Sequence, residues 1–263
     1  MNSLKKWLLI AAMSIGTSVS ANTYTSDLSD QWWNEKEPGW GVGVNHQREI
    51  LFMTFFIYGK DGRVTWYTGQ ASHTGQTQQG ALVFSGGMYE TTGGSYFAGT
   101  YDAAKVTGRH AGTVSFTAYL DSAILSYSID GVSVAKVVTR QTFRNNDLSG
   151  SYMGAINQNA AGCVTPYSSG EVNRSTEMTV VNTANTFAMT VRQPDNSVCS
   201  YAGNYVQSGR LGRSQGTYTC PGGVKGQYDA FELDANTQGF SGRFFAADNF
   251  CDSVLGRFAV MKK

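Results

Sequence analysis

Residues 40–71, WGVGVNHQREILFMTFFIYGKDGRVTWYTGQA, decide the fold. Three short runs, 40–47, 50–58 and 64–71, carry the β-branched and aromatic residues that favour strands. Gln47-Arg48-Glu49 and Lys60-Asp61-Gly62 separate them and read as hairpin turns. No long stretch of the chain shows helical periodicity.

The same reading extends outward. In the first half, strands are expected near 40–47, 50–58, 64–71, 80–88, 95–101, 111–119, 122–129 and 132–143. Further turns fall at Asp121-Ser122 and Asp130-Gly131. In the second half they are expected near 149–157, 175–182, 185–192, 198–206, 213–220, 225–234, 238–246 and 254–261. There 208–212 (SGRLG) and 234–239 (DANTQG) read as hairpin loops. Eight short strands without helices suggest a closed sandwich or an up-and-down barrel. A barrel leaves no exposed sheet edge. Its interior has room for packed side chains or one small ligand. The expected class is therefore all-β, with two antiparallel barrels in tandem, of the up-and-down kind seen in lipocalins and streptavidin.

Composition divides the chain near residue 145. His46, His73, His110 and the tryptophans Trp32, Trp33, Trp40 and Trp66 precede it. Cys163, Cys199, Cys220 and Cys251 follow it. The stretch 144–150, RNNDLSG, is polar and turn-rich, as a linker should be. The expected units are a signal peptide over 1–21, a Trp-rich barrel over 22–145 and a disulfide-containing barrel over 146–263.

The signal is read from Lys5 and Lys6, the apolar run Trp7–Met13 and the small residues Val19-Ser20-Ala21. That run is too short to span a bilayer. Export implies a secreted or periplasmic location. Removing Lys5 and Lys6 from the 20 basic residues leaves 18 against 19 acidic ones, a net charge of −1. Nucleic acid and anionic membrane surfaces call for a basic patch and are not expected partners. No later segment is long and apolar enough to be a transmembrane helix.

Alternation along 40–46 puts Trp40, Val42, Val44 and His46 on one face and Gly41, Gly43 and Asn45 on the other. The glycine face leaves room for another backbone or a flat aromatic ring, and Trp32 and Trp33 are near enough to supply one. These aromatics read either as a core plug or as a stacking platform for a ligand. Trp66 and Tyr67 point opposite ways. The run 50–58 is apolar on both faces, which suggests cover by the second domain or a partner chain.

The string 32–67, WWNEKEPGWGVGVNHQREILFMTFFIYGKDGRVTWY, resembles a module of unknown function found in secreted bacterial proteins. Its pattern runs W-W-N-P-x-E-x-G-W-G, a Gln, an apolar strand ending in Tyr, and a D-x-x-G-x-P-x-W-Y hairpin. Trp32, Trp33, Asn34, Glu37, Gly39, Trp40, Gly41, Gln47, Tyr58, Gly62, Trp66 and Tyr67 match. The stretches 89–94 and 125–131, Gly112 and Arg140 match more weakly. Glu35 and Val64 stand where the pattern has proline. The resemblance covers about 24–143, implies export and a β domain, and supplies no mechanism.

Four cysteines in an exported chain read as two disulfides. Of three connectivities, the strand map favours Cys199–Cys220 across a hairpin and Cys163–Cys251 across the seam of a closed barrel. No CxxC pair or histidine lies in that half, so a zinc site is not expected. His46, His73 and His110 would bind metal only if three separate segments converged. Glu35 and Glu37 could act as a carboxylate pair on a sugar, but as loop neighbours they read better as solvated or bonded to turn amides. Asp248 and Asp252 offer a weak Ca²⁺ signal. Glu37 and Arg140, if both point inward, are expected to pair at a barrel mouth.

The leading reading is a non-enzymatic binding protein without a cofactor. Its ligand site would comprise Trp32, Trp33, Trp40, Trp66, Tyr58, Glu37 and Arg140, for an unknown small molecule, glycan or partner protein. One alternative is an enzyme acting on an extracellular polymer such as a glycan, with Glu37 as acid or base. Another is an envelope interaction or inhibitor protein with tryptophan anchors.

Overall fold

The computed structural model describes residues 27–77, 79–94 and 97–263. The expected signal segment 1–21 lies outside the described residues. The first barrel comprises β1 (Asp30–Trp33), β2 (Gly41–Gln47), β3 (Ile50–Tyr58), β4 (Val64–Gln76), β5 (Leu82–Thr92), β6 (Thr107–Ala118), β7 (Ser122–Ile129) and β8 (Val132–Arg140). Every neighbouring pair is antiparallel and consecutive in sequence, and β1 closes the ring on β8 through Trp32↔Arg140. The β7–β8 hairpin has a two-residue loop in which Asp130 and Gly131 both have positive φ, as a type I′ turn requires.

The second barrel comprises β9 (Gly150–Ala161), β10 (Gly170–Asn182), β11 (Thr186–Arg192), β12 (Val198–Ser208), β13 (Leu211–Cys220), β14 (Val224–Ala235), β15 (Gly239–Asp248) and β16 (Ser253–Lys262). It closes through β16 and β9, and all eight expected strands are present.

One expected strand of the first barrel is corrected. The β5–β6 ladder continues to Thr92↔Thr107, so 97–101 lies in the connection between those strands rather than in a strand of its own, and Phe97 is 91% exposed. The eighth strand is instead β1, only four residues long and placed before the run that was read as first.

The two barrels begin alike. Asp27-Leu28-Ser29-Asp30-Gln31-Trp32 and Asp147-Leu148-Ser149-Gly150-Ser151-Tyr152 share Asp-Leu-Ser followed three residues later by a ring with a polar handle. In both, the aspartate accepts from the serine amide. In both, the leucine is buried and its carbonyl accepts from the ring, from Trp32 Nε1 at 3.0 Å and from Tyr152 Oη at 2.9 Å. The motif plugs one end of each barrel and satisfies the ring's donor within the core.

The first interior is filled. Trp32, Leu51, Met53, Phe55, Phe84, Met88, Phe116 and Leu125 have no exposure, and Trp32 meets Phe116 edge-on at 5.2 Å. In the second barrel a comparable plug of Leu148, Tyr152, Phe187, Tyr205, Leu233 and Phe240 fills only one end.

The plugged ends carry the contacts between barrels. Arg210, in the β12–β13 turn, reaches Asp27 Oδ2 at 2.6 Å, donates its amide to Asp30 and also pairs with Asp234. Arg213 bridges Asp121 and Asp229. Gly209 adopts φ of 62° beside Asp30 and Arg140, where any side chain would collide with both.

Candidate functional site

The expected aromatic site is dispersed. Trp32 is core. Arg140 lies at its end of the barrel, buried and paired with Asp30 at 3.3 Å, so the expected Glu37–Arg140 pair does not form. Glu37 sits at the other mouth of the barrel, 2.7 Å from Lys136 Nζ, and accepts from Trp40 Nε1 at 3.1 Å. Lys136 and Arg140 do share the inward face of β8, but four residues separate them along the strand, so they serve opposite ends. Trp40, with Ile57, Tyr127 and Ile129, packs onto the core beneath this mouth.

Trp33, Trp66 and Tyr58 belong to the outer wall. Trp33 follows inward-facing Trp32 and therefore points out. Gly41 is the register partner of Phe56, and Phe56 of Trp66. Trp33, Gly41, Phe56 and Trp66 thus form one row across four strands, with Tyr58 beside it against Gly39. Gly41 faces the Gln31 side chain and the Trp32 carbonyl rather than a ring, so its missing Cβ admits the neighbouring strand. Phe52, Phe56, Tyr58 and Trp66 are about half exposed, and the second barrel does not cover them.

The other chemical candidates are committed elsewhere. Hydrogen bonding from Lys136 holds the Glu37 carboxyl below the usual range, so it stays ionised and makes a poor general acid. His46 and His73 lie edge-on to Phe84, and His110 edge-on to Tyr89. Among the described residues no group of three potential metal ligands converges. Asp248 accepts from Tyr218 Oη at 2.5 Å and from the amides of Phe250 and Cys251.

A cavity of about 530 Å³ occupies the unplugged end of the second barrel. Its deeper wall is apolar, with Met178, Met189, Val191, Phe244 and Phe258. Toward the mouth stand Arg174, Gln158, Gln193, Tyr201 and Tyr218. Tyr201 stacks on Tyr218 at 5.1 Å and meets Tyr228 edge-on at 5.3 Å. Burial pushes the Tyr201 hydroxyl up to about 12. Burial, then the bond to Asp248, raises Tyr218 further.

Both disulfides, Cys163–Cys251 and Cys199–Cys220, lie at this mouth, with the expected connectivity. Cys199 and Cys220 are opposed across β12 and β13, next to Ser200↔Thr219. Cys163 and Cys251 tie the 162–169 loop to the β15–β16 turn, where Tyr167 packs on Phe250 at 4.9 Å. The loop contributes Tyr167 and Ser168 to the cavity wall.

Sequence reasoning missed Arg174 because the strand was expected to begin at 175. Buried Thr176, Met178 and Val180 mark the inward face of β10, and period-two alternation continued backward puts Arg174 on it. Arg174 Nη1 donates to Gln193 Oε1 and Nη2 to Gln158 Oε1, each at 2.7 Å.

No family model matches the chain, and no curated protein or solved structure matches it significantly.

Proposed function

We propose that this chain is an exported binding protein that holds a small, largely apolar ligand inside its second barrel. The cavity carries the reading: its volume lies in the range of ligand pockets, its wall is mostly apolar, and a few polar groups converge at one end. Two disulfides at the mouth hold the surrounding loops without bulk of their own. The basic start, apolar run and small residues of 1–21, with those disulfides, support export. The first barrel, filled with side chains, serves as a rigid companion docked on the plugged end.

The outer row Trp33, Phe56 and Trp66 favours a second, surface reading: a flat aromatic face for a glycan or partner protein.

Titration of the oxidised protein with an environment-sensitive hydrophobic dye tests the cavity. Wild type should bind about one dye molecule. Ala246→Phe, which fills the cavity from β15, should abolish binding while both disulfides still form. Unchanged dye binding in a folded Ala246→Phe protein, or none in wild type, overturns the cavity reading. Loss of binding on Trp66→Ala instead would favour the surface.

A further inference from the structure

We propose that the cavity ligand carries a single anionic head, a carboxylate on an apolar body, and that Arg174 receives it. This rests on the cavity being a ligand site. Arg174 stands apart from the other arginines that are at least half-buried. Arg140 pairs with Asp30, Arg210 with Asp27 and Asp234, Arg213 with Asp229, and Arg243 with Glu232. Among the described residues no carboxylate lies within ion-pair distance of Arg174. Its two partners, Gln158 and Gln193, are neutral, and its Nε is buried without an acceptor.

A guanidinium withdrawn from water costs free energy unless a negative charge compensates it. Burial already pushes the Arg174 guanidinium below its usual value. The nearby acidic groups supply that charge only in part: Asp195 attracts Arg174 through space without forming an ion pair, and burial still outweighs it. Asp195 is exposed, and Asp248 is held by Tyr218 and two amides. The glutamines fix the guanidinium plane without neutralising it, which is how a preorganised receptor for an incoming anion is built. A carboxylate suits the planar fork. One guanidinium balances one negative charge, which favours a monoanion.

Position sets the orientation. Arg174 precedes Thr176, Met178 and Val180 on the inward face of β10, so it lies nearer the mouth than Met178. The head would rest near the mouth among Arg174, Gln158 and Tyr201. The apolar body would descend between Met178, Met189, Phe244 and Phe258 toward the plug.

The test compares decanoate with decanol, the same chain without charge, as competitors of the hydrophobic dye on oxidised full-length protein. Wild type should favour decanoate by roughly tenfold or more, the effect of a charge-assisted hydrogen bond. Arg174→Gln should lose that preference while still binding decanol. Arg174→Lys should keep part of it, and Arg192→Gln, on the outward face of β11, all of it. Equal affinity of wild type for the two competitors overturns the inference and leaves the cavity reading standing. A preference that survives Arg174→Gln also overturns it. Failure of wild type to bind the dye and both competitors removes the cavity reading and this inference together. The wild-type comparison needs no variant, so a poorly folding Arg174→Gln does not spoil the test.

Discussion

Arg140 lies over Trp32, its guanidinium carbon 4.6 Å from the ring, at the register pair that closes the first barrel. Both are buried, and Asp30 supplies the counter-charge. Trp32→Ala should therefore cost about 3–5 kcal/mol, as for a large core aromatic. Trp66→Ala, on the outer face, should change stability by no more than about 0.5 kcal/mol. Denaturant unfolding of the two variants measures this directly, and equal effects would contradict the division into core and surface tryptophans.

Removing Arg140 alone should be worse than removing the pair. Arg140→Met strands Asp30, whose side chain is only 9% exposed, and should cost about 3–5 kcal/mol. Arg140→Met with Asp30→Asn should recover part of that loss in a double-mutant cycle. A fully additive cycle would show that the two side chains do not interact.

Acid should loosen the contact between barrels. Burial raises Asp27, but hydrogen bonds from Ser29 and the Arg210 charge outweigh it, and its pKa ends below the ordinary value. A depressed carboxylate stabilises the fold above its unfolded pKa of about 3.9, and that contribution is lost as pH falls through the folded value. Melting temperature should drop below about pH 4, with a shallower acid slope in Arg210→Gln. Parallel slopes would place the acid sensitivity elsewhere.

Alkali should act on the second barrel. Tyr201 is raised to about 12 and Tyr218 also upward, both first by burial. The unfolded chain ionises its tyrosines near pH 10, so their contribution is complete below about 10 and declines as pH rises through the folded values. A tyrosinate absorbance titration tests this. Tyr201 and Tyr218 should lag until alkaline unfolding. Their ionisation near pH 10 in folded protein would mean that water reaches them freely.

The barrel class was legible because hairpin turns and period-two alternation are local signals. Asp130-Gly131 or Arg48-Glu49 between two apolar runs says nearly all that a two-residue hairpin requires. The disulfide pairing followed once the order of strands around a closed sheet was assumed, since Cys199 and Cys220 then face one another and Cys163 and Cys251 meet at the seam. What failed was non-local. β1 has four residues and is a strand only because β2 and β8 flank it. Gly93 and Gly94, which follow the β5 run with positive φ, were the available sign that no strand occupies 97–101. Glu37 found Lys136 rather than Arg140 because alternation gives a side chain's face but not its height in the barrel. Arg174 was hidden by one residue of strand boundary. The paired Asp-Leu-Ser starts at Asp27 and Asp147 were visible in the sequence and show the two barrels to be built on one opening pattern.

The disulfides should matter to one barrel more than the other. All four cysteines belong to the second barrel, and the tryptophans among the described residues belong to the first. Chain-entropy loss makes the bridge across 21 residues worth about 3 kcal/mol and that across 88 residues about 4.5 kcal/mol. The second barrel needs them because part of its interior is cavity rather than core. Peptide mapping of native protein should recover Cys199 joined to Cys220 and Cys163 joined to Cys251. On reduction, the tyrosine near-UV signal of the second barrel should melt well below the tryptophan fluorescence of the first. Replacing Cys163 and Cys251 by alanine should lower the tyrosine transition more than replacing Cys199 and Cys220. A single shared transition after reduction would instead mean that Arg210, Asp27 and Asp30 couple the barrels into one folding unit, and the bridges would then stabilise both.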